Sequence, residues 1–209
     1  MFELLSGRSR SRLGPPTLVV IGAHRDELAF GDGVVAGLDA ARFAVLRIPK
    51  GLTGQRPRPE EREQFRHRHH ELYRQILEHV AEPQRLLIDL HAGIDHRGFC
   101  ADILCADPQV LQCIASQRHA REAGPDQAGR IRCVQLVADT ALAALEPSCE
   151  RSWTLARPEI PDSVWNRADL LYVGIEVYLR RRGAGTAAEW AFARQLVDAV
   201  TECGFAVRC

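Results

Sequence analysis

Lysine is almost missing from this chain of 209 residues: Lys50 is the only one, and arginine carries nearly all the positive charge. Neither sign of charge is in excess, because 27 Lys and Arg balance 27 Asp and Glu. The basic residues are spread along the chain, so there is no electrostatic footprint for nucleic acid or for an anionic membrane surface. No apolar run approaches the ~18 residues of a membrane helix, and the N-terminus lacks the apolar stretch of a secretory signal. The seven cysteines, Cys100, Cys105, Cys113, Cys133, Cys149, Cys203 and Cys209, form no Cys-x-x-Cys knuckle, and an odd number cannot all pair within one chain. Reduced thiols in a cytoplasmic protein are the expectation. There is no internal repeat and no low-complexity segment.

What the chain does have is 46% hydrophobic residues, enough for one domain with a sizeable core. Residues 1–16 are rich in Arg and Ser and end in Gly14-Pro15-Pro16, which reads as a mobile lead-in to a domain over 17–209. From there apolar runs and helical patterns alternate. Strands are expected at 17–23, 43–48, 86–90, 101–105, 131–137 and 170–179. Helices are expected at 32–41, at 59–81 with the apolar stripe Phe65, Leu72, Ile76 and Val80, from Pro108, just after the strand at 131–137, and at 187–203. Phe205–Val207 reads as an added edge strand, and 148–168 has no clear pattern. Strand followed by helix predicts an α/β domain with a mostly parallel sheet and helices on both faces.

The chemistry collects where apolar strands end. Thr17-Leu-Val-Val-Ile-Gly-Ala-His24-Arg-Asp-Glu27 delivers an imidazole and a carboxylate to a strand tip, where the reacting groups of open α/β folds sit. A His-x-x-Glu pair can close on one Zn²⁺ from a tight turn. The spacing recurs at His79/Glu82 and His119/Glu122, but only the first follows an unbroken apolar strand. Leu86-Leu-Ile-Asp89-Leu-His91-Ala-Gly93 is the second such end. Asp89 and His91 share one face of a strand, so the carboxylate can orient the imidazole. A hydrogen-bonded His followed by a glycine turn is the plainer alternative. In Leu170-Leu-Tyr-Val-Gly174-Ile-Glu176-Val-Tyr178-Leu179 the odd positions are apolar, and Glu176 shares the other face with Tyr172, Gly174 and Tyr178. A half-buried carboxylate needs a cation, donors or a wet cleft. Two histidines, a carboxylate ligand and a separate glutamate are the inventory of a catalytic zinc: three protein ligands leave a fourth position for water, and the glutamate can move its proton.

These three motifs, in this order, resemble the succinylglutamate desuccinylase/aspartoacylase family of the zinc carboxypeptidase clan. His24-Arg-Asp-Glu27 is similar to its His-Gly-Asp/Asn-Glu ligand motif, Asp89-Leu-His91 to its Asp-Leu-His motif, and Ile175-Glu176-Val177 to the strand carrying its catalytic Glu. The resemblance implies a single-domain three-layer sandwich with a mostly parallel mixed sheet. It implies one Zn²⁺ per chain held by His24, Glu27 and His91, Glu176 as the base, and a small N-acyl amino acid as substrate. Arg25 stands where the family has glycine, the family's Asp-Leu-Asn-Arg segment is missing, and the chain is short for the group. Arg56, Arg58 and Arg97 are the candidates for the missing substrate contacts. N-formylglutamate amidohydrolases share the outline, with an Asp-Ile pair similar to Asp102-Ile103.

Two other readings start from the same residues. Ala23-His24-Arg-Asp-Glu27, with Gly31 and Gly33, also resembles the Ala-His-Pro-Asp-Asp-Glu motif of zinc N-acetylglucosaminyl deacetylases, one residue short. Asp26 would then be the base, and a third ligand would come from Arg66-His67-Arg-His69-His70. That stretch otherwise reads as a solvated helix face, and His91 and Glu176 would lose their roles. The other is a non-catalytic binding protein that keeps the fold, against which the retained Glu176 argues.

Overall fold

β2 (Thr17–Ile21) is buried at all five positions, as an unbroken apolar run must be when both of its faces are covered. It lies between β3 (Phe43–Arg47) and β4 (Leu86–Ile94), parallel to both. The computed structural model describes residues 3–5, 14–55, 57–96, 98–121, 130–138 and 153–208. Among these, β1 (Glu3–Leu5), β5 (Cys100–Cys105), β6 (Arg130–Leu136), β7 (Thr154–Ala156) and β8 (Leu171–Leu179) complete an eight-stranded sheet in the order β1-β3-β2-β4-β8-β5-β6-β7. The β1–β3 and β5–β8 pairs are antiparallel and the rest are parallel, so the sheet is mixed.

Period-2 alternation divides the sheet into two faces. Leu171, Val173, Ile175, Val177 and Leu179 of β8 join Leu86, Ile88 and Leu90 of β4 in one core. There they meet α1 (Leu28–Val35), α3 (Pro108–Arg121) and α5 (Ala187–Arg208) through residues such as Val34, Leu111 and Val197. On the other face Leu18, Val20, Leu46 and Leu87 pack with Leu72, Tyr73 and Ile76 of α2 (Arg62–Glu78) and with Val164 and Trp165 of α4 (Asp162–Trp165). α2 is mostly polar, so its place on the sheet rests on that short apolar stripe, each buried aliphatic being worth about 1.5–3 kcal/mol. The result is one α/β domain of three layers. On the α2 side, the polar positions of β4 and β8 are left to line a cleft.

Several elements differ from the sequence expectation. α1 begins at Leu28 instead of 32, because a 3-10 turn at Arg25–Glu27 runs straight into it. A Cβ on Gly31 would lie 2.7 Å from the Cβ of Ile21, so a bare glycine lets α1 close on β2. Phe205–Val207 is not an edge strand: α5 continues to Arg208, with Phe205 and Val207 packed against the same core as Val200 and Cys203. The sheet's edges are occupied by β1 and β7 instead. Cys113 and Cys203 are not reduced thiols but a disulfide joining α3 to α5. Glu3–Leu5, inside the stretch read as lead-in, pairs with β3. The helix expected just after the strand at 131–137 lies outside the described residues. No helix among the described residues is long and apolar enough to cross a membrane.

Candidate metal centre and active site

Gly22 turns the chain out of β2 at φ +79°, and a Cβ there would sit 2.7 Å from the carbonyl oxygen of Ile48. Conformation and space both require glycine at this corner. The segment beyond is pinned to the loop after β3: the Leu52 N–H donates to the Ala23 carbonyl at 2.8 Å and the Arg25 N–H to the Leu52 carbonyl at 2.9 Å. The 3-10 turn then folds Glu27 back, placing its Oε1 2.9 Å from Nδ1 of His24. From β4, Nδ1 of His91 reaches Oε2 of the same carboxylate, also at 2.9 Å. One ligand atom from each of His24, Glu27 and His91 lies within 4.8 Å of the other two. Burial works to raise the Glu27 pKa, but the hydrogen bonds from His24 and His91 outweigh it and hold the carboxyl below its usual range.

His91 is gripped from its far side. Its Nε2 lies 2.9 Å from Oδ2 of Asp89, which is fully buried and accepts hydrogen bonds from the hydroxyls of Tyr73 and of Tyr172, the latter at 3.0 Å. Burial opposes charge on both partners, yet their mutual attraction prevails: His91 is raised well above its ordinary pKa, and Asp89 is held below its own. With Nε2 tied to a carboxylate, Nδ1 is the nitrogen left for a cation. Two imidazole nitrogens and a carboxylate, one ring anchored from behind, form the donor set that Zn²⁺ takes in catalytic sites with three protein ligands. The residues present therefore fit the metal.

Glu176 stands next to this centre, in register with His91 on one side and Asp102 on the other. Burial pushes its carboxyl up to about 7. Asp102 is itself occupied by Arg132, which donates twice at 2.6 Å, and by the Tyr178 hydroxyl at 2.9 Å. β4 does not turn at Gly93 but continues to Ile94, and a Cβ at 93 would lie 2.7 Å from Oε1 of Glu176. Gly93 is thus the space into which the glutamate fits.

These groups open into a cleft of ≈740 Å³, with Leu104, Leu136 and Ile160 as an apolar lining. The wall formed by α2 carries Arg62, Arg66 and His69, so the stretch Arg66–His70, which reads in sequence as a solvated face, turns two of its residues into the cleft. The available signal was their period, since positions 62, 66, 69 and 73 fall on one helical stripe that ends in the buried Tyr73. Arg62 and Arg66 are exposed and make no ion pair with any described residue. His69 is buried, and that burial, the largest influence, lowers its pKa and favours the neutral ring. His67 and His70 are exposed. Arg58 is exposed and does not line the cleft, while Arg56 and Arg97 lie outside the described residues.

Fold and site together define an α/β protein in which the turn after β2 and the strands β4 and β8 assemble a candidate His-Glu-His metal centre with a largely buried glutamate beside it. No protein-family model matches the sequence, and no curated protein does. Solved structures similar in chain path include murine aminoacylase 3, at 13% identity and a TM-score of 0.45 over 96% of this chain and 67% of that one. A bacteriophage poly-gamma-glutamate hydrolase is similar at 13% identity and a TM-score of 0.44 over 97% of this chain and 87% of that one. A succinylglutamate desuccinalase from Vibrio parahaemolyticus is similar at 13% identity and a TM-score of 0.39 over 94% of this chain and 70% of that one. This chain spans about two thirds of the length of aminoacylase 3. The likeness is one of chain path, and the chemistry has to be argued from the site's own residues.

Proposed function

We propose that the protein is a zinc-dependent amidohydrolase that removes the acyl group from a small N-acyl amino acid. The observation that carries this reading is the convergence of His24, Glu27 and His91 within 4.8 Å, with Glu176 in register beside His91. Zinc held by those three residues supplies Lewis-acid polarisation of the acyl carbonyl and lowers the pKa of water. Glu176, poised near neutrality by burial, takes a proton from the attacking water. It delivers that proton to the nitrogen as the C–N bond breaks, leaving a carboxylic acid and a free amine. Asp89 keeps the His91 ring turned so that Nδ1 faces the centre. Arg62 and Arg66, unpaired among the described residues, offer two guanidinium groups to the substrate carboxylate, and Leu104, Leu136 and Ile160 offer apolar surface to the remainder.

The test is amine release from a panel of N-acetyl amino acids by zinc-loaded and chelated protein. Turnover that requires zinc, with KM raised about tenfold or more in the Arg62→Ala/Arg66→Ala double variant, is expected. Turnover that survives chelation, or none on any member, contradicts the reading.

A further inference from the structure

His69 is only 8% exposed, yet it lines the cleft. Its ring centroid lies 5.6 Å from that of Phe65, 5.0 Å from that of Tyr73 and 6.0 Å from that of His24, and it is not among the residues that converge as metal ligands. Its Nδ1 is 3.3 Å from the carbonyl oxygen of Glu159. A carbonyl only accepts, so in the neutral ring the hydrogen belongs on Nδ1 and Nε2 carries a lone pair. No described residue donates to it. Lining the cleft, that acceptor is open to a ligand or a water that can donate to it.

Resting on the amide hydrolysis proposed above, the candidate donors are few. The carboxylate and the acyl oxygen of an N-acyl amino acid are acceptors, which a lone pair repels. Its one invariant donor is the N–H of the bond to be broken. We infer that Nε2 of His69 accepts the N–H of the scissile amide, turning the nitrogen toward α2 and the carbonyl toward His24, Glu27 and His91. The order of groups along the helix matches the order along the substrate. In an N-acyl α-amino acid the carboxylate carbon is two bonds from the amide nitrogen, and Arg66 and Arg62 follow His69 at one and two turns along the same stripe. His69 is then a selector of amides over esters, because an ester oxygen at that point sets lone pair against lone pair.

The experiment takes the N-acetyl amino acid that turns over fastest in the panel and its ester counterpart, the O-acetyl 2-hydroxy acid with the same side chain. Both are assayed with zinc-loaded wild type, His69→Phe, which keeps a ring without an acceptor, and His69→Gln, which restores an acceptor oxygen. In His69→Phe, kcat/KM for the amide falls about 10- to 100-fold while that for the ester holds or rises. Glutamine recovers part of the loss, and zinc content stays at the wild-type level in both variants. The N-methylated amide, which lacks the N–H, probes the same contact without any mutation: wild type discriminates against it more strongly than either variant does. Equal losses on amide and ester overturn the inference by making His69 merely structural. Loss of zinc in His69→Phe also overturns it, by making His69 a ligand as the deacetylase-like reading requires. If wild type turns over no member of the panel, amide hydrolysis itself is refuted and the inference falls with it.

Discussion

Replacing Glu176 by glutamine is expected to stabilise the zinc-free protein while stopping turnover of the zinc-loaded one. The carboxyl ionises near 7 in the folded chain against an ordinary 4.5, because it is buried beside Glu27 and Asp102. A carboxyl raised by folding holds its proton more tightly in the native state. Its penalty is therefore small in acid, grows as the pH rises from 4.5 to about 7, and is constant above that. At pH 8 native ionisation is disfavoured about 300-fold, which costs about 3 kcal/mol, while at pH 5 the cost is about 1 kcal/mol. Glutamine removes this charge at every pH, and any hydrogen bonds its amide makes or loses cancel between the two conditions. Urea unfolding of chelated wild type and Glu176→Gln at both pH values measures the difference. The variant gains about 2–3 kcal/mol more at pH 8 than at pH 5, and at pH 8 its Tm rises by about 6–12 °C. A gain equal at the two pH values, or a loss that grows with pH, refutes the reasoning. With zinc present, the same variant loses about 10²- to 10⁴-fold in kcat, and retained turnover removes Glu176 from the role of base.

Asp89→Asn weakens the grip on His91, so zinc affinity by competition with a chelator falls about 10- to 100-fold at pH 8. Because Asp89 also raises the His91 pKa, wild type must expel a proton to bind metal at lower pH, and the deficit of the variant shrinks as the pH falls; a deficit independent of pH contradicts the pairing. Gly93→Ala puts a Cβ 2.7 Å from Oε1 of Glu176 and lowers kcat about tenfold or more with zinc content unchanged, whereas wild-type kcat shows that the space is not needed. Cys113→Ser opens a link between residues 90 apart in sequence, costing about 4.5 kcal/mol by chain entropy; unfolding curves that coincide with those of the oxidised wild type contradict a stabilising disulfide.

The parts of this site that were legible in the sequence are those governed by strand periodicity. Apolar runs leading to His24, His91 and Glu176 mark buried central strands, and the two-residue repeat puts Asp89 beside His91 before any fold is known. What escaped depends on packing across the chain. Arg62, Arg66 and His69 sit in a stretch so polar that it reads as solvated, and only the docking of Leu72, Tyr73 and Ile76 on the sheet turns the stripe carrying them into the cleft. Gly93 looks like a turn, although its bare Cα is required by a glutamate 83 residues later on a neighbouring strand. Phe205 and Val207 have strand-like side chains, but the core under α5 keeps them helical. Seven cysteines do not disclose which pair forms, since that is decided by α3 and α5 lying side by side.

The most direct test of the central claim is the metal content of purified wild type, His24→Ala, His91→Ala and His69→Phe after zinc is supplied and excess is removed. One zinc per chain in wild type and in His69→Phe, with none in His24→Ala or His91→Ala, is the predicted result. Wild type without zinc, or zinc retained when His91 is removed, contradicts a centre built on His24, Glu27 and His91.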